Sequence, residues 1–438
     1  MVEPELKENL LKAVDSLKDD LIKLTCDLVK IPSVNPNYPG EVYEEILGGE
    51  TDVASFLRPI LEEIGLETDM WEEEKGRANL VGVYKGTGGG RSLILCGHTD
   101  VVPPGPEGDW TKASPWSGKT MENKIWGRGS CDMKGGDAAA CLALKAVINA
   151  GYKPKGDVII EYVVGEEMMN HEVGVDAAIK RGYKADGAIV CEPSAPPYRV
   201  AIASASPGLL HMRVTIEGKA GHVSQRDELI RAGGRGAEVG VNSIDKAMII
   251  YEGLRKLEEE WGQTKVHPVF TRPGHFVIHP GVITGGPKGP YIISSESKIE
   301  YAIFYPPHDS DEQVKREIQE QITRFAQTDP WLRQHPPKVE WLLWWPPYDV
   351  PIDAPIFKAV ATAYELAMGE PVKYYGFAGC NDGAFLNRAG IPTVVIGPGD
   401  IGVAHAANEY VEIADLVDAA KIYALSIAEW CGVERAST

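Results

Sequence analysis

The sequence predicts an α/β fold: a mainly parallel sheet with helices on both faces, and a small α+β domain inserted into it. Three observations lead there. Apolar, strand-like runs alternate with helical stretches through the first half of the chain, as in a parallel sheet covered on both sides. The middle switches to the order β-α-β-β-α-β, which is ferredoxin-like. After Pro346-Pro347 the first pattern resumes. We therefore expect a large domain in two segments, 1–206 and 349–438, around an insert at 207–348. The length of 438 residues agrees, being too great for one compact core.

The elements follow in order. Leu10–Lys30 reads as a helix stopped by Ile31-Pro32, and Thr51–Ile64 as another closed by Gly65. Asn79–Tyr84 and Ser92–Cys96 are short runs of Val, Leu and Ile, as in buried strands. Asp137–Ala150 is an Ala-rich helix ending at Gly151, followed by strands at Val158–Val164 and Ala188–Cys191. In the insert, Leu209–Glu217 is a strand, Ser243–Trp261 a long helix, and Phe276–Thr284 and Lys298–Tyr305 two more strands. Glu312–Ala326 is a helix and Val339–Trp345 the last strand of that unit. Helix Ile356–Met368, strand Thr393–Ile396 and helix Ile413–Trp430 complete the large domain.

Composition narrows the function. Against 44 Lys and Arg stand 63 Asp and Glu, a formal charge of −19, which repels phosphate backbones and anionic membranes. Nucleic acid and membrane are therefore not expected as partners. No stretch reaches the roughly 18 apolar residues of a membrane span, and Met1–Leu24 lacks the apolar core of a secretory signal. Seven cysteines do not form a disulfide pattern. Cys96, Cys131, Cys191 and Cys380 adjoin the motifs below, but without the close pairing of a thiolate metal site; they read as small core residues. A cytoplasmic protein is expected.

Ligands of open α/β sheets collect beyond the carboxyl ends of the strands, and the chemistry-bearing residues sit there. Strand Ser92–Cys96 runs into Gly97-His98-Thr99-Asp100. Imidazole is a common metal ligand, and a nearby carboxylate can fix its tautomer. A glycine-rich turn, Gly127 to Gly136, carries Asp132 into a helix, where on its own it would read as a cap. Glu166-Glu167 and Glu192 follow two further strands, and His405 lies beyond Gly397-Pro398-Gly399-Asp400. Any one of these is ordinary. Together they amount to two imidazoles and three carboxylates, enough for two metal ions if one carboxylate bridges, with Glu166 spare to take a proton from water.

The strings Gly97-His98-Thr99-Asp100-Val101-Val102-Pro103, Gly127-Arg128-Gly129 with Asp132-Met133-Lys134-Gly135-Gly136, Glu166-Glu167, Cys191-Glu192-Pro193 and Gly397-Pro398-Gly399-Asp400 with His405 resemble the co-catalytic zinc exopeptidase and deacylase family. That family includes acetylornithine deacetylase, succinyl-diaminopimelate desuccinylase, aminoacylase and glutamate carboxypeptidase. The likeness runs from Ile31-Pro32-Ser33 to Asn408-Glu409-Tyr410. It implies a zinc-exopeptidase-like sheet, an inserted lid and dimerisation domain, and two divalent ions, with Zn2+ expected and Mn2+ or Co2+ also suited to these ligands. It also implies that Asp132 bridges, that Glu167 and His405 hold one ion, and that His98 and Glu192 hold the other. Glu166 would be the general base and Asp100 would orient His98. His222 matches the lid histidine that in relatives reaches across a homodimer to stabilise the oxyanion.

The chain departs from the pattern in places. Gly165 stands where relatives have Asp, and Met168-Met169-Asn170-His171 replaces a Gly-rich segment, leaving His171 as an extra ligand or an incidental loop residue. Asn381-Asp382-Gly383 replaces Thr-Asp-Ala at the substrate wall. In the lid, Tyr291 and Phe304 fall where relatives carry an Asn and an Arg that grip a substrate carboxylate. Two rings there favour an aromatic substrate; a shifted register, with Arg226, Arg231 or Arg235 gripping, is the competing reading. The expected activity is hydrolysis of an amide-type C–N bond in a small molecule, deacylase- or carboxypeptidase-like. An aminohydrolase acting on an aromatic amine is the alternative, and a silent binding protein the third possibility.

Overall fold

The computed structural model describes residues 2–272, 274–287 and 289–436; Met1, Pro273, Lys288, Ser437 and Thr438 lie outside them. The chain divides into two compact units, Ser206–Asp349 and the remainder.

In the larger unit the strands lie in the order Glu67–Glu74, Arg77–Tyr84, Val158–Val163, Leu93–His98, Gly187–Val190, Thr393–Val395, Ile202–Ser206, with Tyr374–Gly376 beside the last. The four central strands, Val158–Val163 to Thr393–Val395, are parallel; Arg77–Tyr84 and Ile202–Ser206 join them antiparallel, and Tyr374–Gly376 pairs in parallel with Ile202–Ser206. The parallel strands are buried along their whole length, which is why they read as unbroken apolar runs. Helices Gly135–Asn149, Pro355–Met368 and Ile413–Cys431 pack together on one side, where Tyr162 donates to the Asp137 carbonyl at 3.0 Å. Short helices Val175–Arg181 and Gly383–Arg388 pack on the sheet from the face bearing Val190.

One expectation needs correction, and one strand was not expected. The single N-terminal helix is two, Pro4–Ser16 and Lys18–Val29, broken at Leu17 (ψ 8°). The apolar periodicity runs through the break because both helices turn leucines inward. The edge strand Glu67–Glu74 escaped notice because Glu-Thr-Asp-Met-Trp-Glu-Glu-Glu has no apolar run, and charged residues are what guard an exposed sheet edge.

In the smaller unit four antiparallel strands lie in the order Ile278–Gly285, Glu296–Tyr305, Gly208–Glu217, Lys338–Trp345. This is ferredoxin-like topology, with helices Ser243–Thr264 and Asp311–Ala326 on one face. Every second residue of the two central strands (Leu210, Met212, Val214, Ile216; Ile299, Tyr301, Ile303, Tyr305) enters the core beneath them.

Candidate metal centre

His98, Glu166-Glu167 and Glu192 emerge where parallel strands stop, whereas Asp132 and His405 come from loops. Strand Leu93–His98 ends on His98, which is buried. Its Nδ1 lies 2.9 Å from the Asp100 carbonyl oxygen, so the ring donates there and turns its Nε2 outward. That Nε2 lies 3.2 Å from Asp132 Oδ1 and 3.3 Å from Glu192 Oε1. On the other side of Asp132, His405 Nε2 is 3.2 Å from Oδ2 and 3.0 Å from Glu167 Oε2. The two oxygens of one carboxylate therefore face two imidazoles, each of which has a carboxylate of its own. His405 is held at φ 62°, a left-handed conformation that a non-glycine residue keeps only under constraint.

The Asp132 loop depends on glycine twice. Gly129 turns the chain at φ 80°, and a Cβ on Gly136 would meet the Cys191 carbonyl oxygen at 2.1 Å. Lys134, fully buried in this loop, donates to the carbonyls of Leu28 (3.1 Å) and Ile31 (2.7 Å) and so is structural.

The electrostatics of the cluster suit a bound cation. Burial opposes charge on His98, yet hydrogen bonding to Asp132 and Glu192 holds its pKa well above the ordinary value. Burial also opposes charge on His405, but Asp132 and Glu167 lift it to about 11. Burial would raise Asp132; its bonds to His405 and His98 win and hold it well below the usual carboxylate range. Burial, with the Asp132 charge second, pushes Glu167 and Glu192 up to about 7. Glu167 Oε1 is buried without a hydrogen-bond partner, as expected of an oxygen reserved for a metal. The ligand atoms of His98, Asp132 and Glu167 lie within 4.8 Å of one another, as do those of His98, Glu166 and Glu192. The ion-pair distances place both imidazoles around Asp132, His98 with Glu192 and His405 with Glu167. The residues present thus fit a two-ion site.

Glu166 is buried, with Oε2 3.9 Å from His98 Nε2; burial, aided by Glu192, Asp382 and Glu167, pushes its pKa well up against the pull of His98. Asp100 acts differently from expectation. It orients His98 through its backbone carbonyl, whereas its carboxylate accepts from the backbone N–H of Gly165 (2.9 Å), Glu166 (3.3 Å) and Glu167 (3.1 Å), and from Asn35 Nδ2 (2.8 Å). Asp100 thereby fixes the loop bearing the base and one ligand. Sequence reasoning missed Asn35, and also the buried pair Arg128–Glu409, whose Glu409 Oε1 accepts from the N–H of Cys131 (2.9 Å) and Asp132 (3.2 Å). His171 pairs with Asp176 at 3.2 Å, stacks on Phe385 with ring centroids 3.9 Å apart, and joins neither ligand group. Asn381 is buried, its Oδ1 accepting from Gly383 N at 3.0 Å. Cys96, Cys131 and Cys191 are buried and belong to no metal group among the described residues.

In the smaller unit His222 is exposed, with Nδ1 bonded to Ser224 Oγ at 2.7 Å. Tyr291 is its neighbour: His222 pairs with Ile292 across a two-residue ladder, and the Tyr291 carbonyl accepts from Val223 at 3.3 Å. The Tyr291 side chain is 73% exposed. Phe304 lies elsewhere, half-buried in the strand Glu296–Tyr305 and bonded through its backbone to Val277.

Residues 94–429 match the profile of peptidase family M20/M25/M40, and the chain belongs to that family. It is 35% identical, across 98% of both chains, to the N-formyl-4-amino-5-aminomethyl-2-methylpyrimidine deformylase of Halalkalibacterium halodurans. It is 32% identical, across 97% of both, to the Bacillus subtilis enzyme of the same name. In fold it resembles a tripeptidase of Staphylococcus aureus (TM-score 0.71, 21% identity, covering 94% of this chain and 98% of that one). The protein is a metal-dependent hydrolase acting on amide-type C–N bonds.

Proposed function

We propose that this protein is a deformylase that releases formate from an N-formylaminomethylpyrimidine, using two divalent ions. The arrangement that supports the two-ion reading is Asp132, its oxygens divided between His98 and His405. Asp132 would bridge, His98 and Glu192 would hold one ion, and Glu167 and His405 the other; zinc, manganese and cobalt all suit such nitrogen and oxygen donors. Bound ions would polarise the formyl carbonyl and make water acidic enough to attack at neutral pH. Glu166 takes the proton of the attacking water and returns it to the leaving amine nitrogen. Asp100 holds the Glu166-Glu167 loop still while this happens. By resemblance to the lid histidine of similar enzymes, His222, with its Nδ1 already engaged, would reach across a homodimer and offer Nε2 to the oxyanion.

The substrate class rests on end-to-end similarity to two enzymes of that name, and the exposed Tyr291 ring fits a flat heteroaromatic group better than a carboxylate. Supplied with Zn2+, the enzyme is expected to release formate from N-formyl-4-amino-5-aminomethyl-2-methylpyrimidine, with kcat/KM at least about 100-fold above that for N-acetylornithine or N-succinyl-diaminopimelate, a gap of roughly 2.7 kcal/mol. Preference for either of the latter would refute the pyrimidine assignment, and release of ammonia in place of formate would favour the aminohydrolase alternative. Phe304 and Asn381 stay as candidate substrate contacts.

We also propose a homodimer formed through the smaller unit. Strand Ile278–Gly285 is an edge strand with no neighbour on its outer side among the described residues and with Val282 and Ile283 exposed, and Ile244 and Met248 are exposed on the helix Ser243–Thr264. Bare apolar edges favour pairing with another copy. Ile283→Lys should shift the protein from dimer to monomer in analytical ultracentrifugation; an unchanged sedimentation coefficient, or a wild-type monomer, would count against this surface. Seven unpaired cysteines suit a reducing compartment such as the cytoplasm, and no helix of the described residues is long and apolar enough to cross a membrane.

A further inference from the structure

Two ligand loops are tied together by one buried carboxylate, that of Glu409, 277 residues beyond Asp132. Glu409 is fully buried, four residues beyond His405, where strand Tyr410–Glu412 pairs with Lys124–Trp126. Its backbone carbonyl accepts from Gly127 at 2.9 Å, which anchors the start of the glycine-rich turn. Its Oε1 accepts from two successive backbone N–H groups, those of Cys131 and Asp132. Its Oε2 pairs with Arg128, itself buried and donating to the Pro103 carbonyl at 3.3 Å. Loop glue needs only the first of these bonds. The two bonds to Oε1 fix the peptide planes on either side of the Cys131 Cα and so set the frame from which the Asp132 side chain projects. That frame must be held closely, because Asp132 Oδ1 and Oδ2 reach different imidazoles at the same 3.2 Å, and a small rotation would lengthen one contact while shortening the other. Arg128 neutralises Glu409, so this carboxylate adds no unpaired negative charge next to the ligand it orients.

We propose that Glu409 is a positioning residue for the bridging carboxylate, setting the affinity of both metal ions together without touching either. The inference rests on the reading of Asp132 as a bridge. Outer-shell partners of metal ligands usually alter affinity by about 10–100-fold, and here a single residue should impose that change on two sites at once.

The test uses two full-length double variants that both remove the buried ion pair. Arg128→Met with Glu409→Gln keeps an oxygen that can accept from Cys131 and Asp132; Arg128→Met with Glu409→Leu does not. Zn2+ affinity is measured on metal-depleted protein by competition with a chromophoric chelator, well below each variant's unfolding temperature, and the visible spectrum is recorded after loading with Co2+. The Gln variant should bind two Zn2+ within about threefold of wild type. The Leu variant should lose at least about tenfold at both sites and show an altered Co2+ spectrum. A purely structural role would lower the unfolding temperature and leave affinity and spectrum alone. Should the Leu variant fail to fold, Glu409→Asp, which keeps the charge and shortens the reach, must weaken both ions. Equal affinities in the Gln and Leu variants, or wild-type affinity in Glu409→Asp, would overturn the proposal. If Asp132→Ala itself keeps two tight ions, it is the bridge that fails, a different result from a bridge that stands while Glu409 proves silent.

Discussion

Glu166→Gln is expected to lower turnover by about two to four orders of magnitude, the range of general acid–base catalysis, while metal content stays at the wild-type level. The substitution is nearly isosteric, so the buried position keeps its packing. The backbone N–H of residue 166 still has the Asp100 carboxylate to donate to. What disappears is the ability to take a proton from water and pass it to the leaving nitrogen. Metal analysis decides between two roles, because Glu166 oxygens lie close enough to His98 and Glu192 to be ligands themselves. Loss of activity with two ions retained assigns Glu166 as the base. Loss of one ion together with activity would make it a ligand, and full activity would remove it from the chemistry altogether.

The parts of this site legible in the sequence were those declared locally. A parallel strand is buried on both faces and reads as an apolar run, so the residue that follows it marks the sheet's carboxyl edge; His98, Glu166-Glu167 and Glu192 could be placed in that way. The glycines at 129 and 136 announced a tight turn into a helix and so placed Asp132. The supports of these residues were not legible. Asp100 could be paired with His98 from their spacing, but nothing local says that its carbonyl serves the imidazole while its carboxylate serves a loop 65 to 67 residues away. Glu409 and Arg128 are 281 positions apart, and neither sits in a periodic pattern that signals burial. Propensity also failed at Leu17, where a single residue with ψ 8° splits a continuous amphipathic stripe.

Asp132→Ala is expected to release both metal ions together, whereas His405→Ala should weaken mainly one. Deleting the carboxylate removes the atoms that face both imidazoles, at 3.2 Å each, and leaves each prospective site with one imidazole and one Glu. Two ligands hold a divalent ion far more weakly than three. Since loss of an outer partner already costs about 10–100-fold, loss of a shared ligand should cost each site at least about 100-fold. His405 differs because it is half-exposed and faces only one half of the cluster, so its removal spares His98 and Glu192. Elemental analysis after dialysis should give near zero ions for Asp132→Ala, about one for His405→Ala and about two for wild type, the metal-loaded numbers of a two-ion site. Folding should survive Asp132→Ala, because the loop's own backbone N–H groups remain bonded to Glu409. Removing Asp132 also removes one of the two carboxylates that raise the pKa of each imidazole (Glu192 stays beside His98 and Glu167 beside His405), so in the metal-depleted protein both imidazoles should titrate at lower pH by NMR. Two tightly held ions in Asp132→Ala, or both lost in His405→Ala, would mean that the two halves of the cluster do not share this carboxylate.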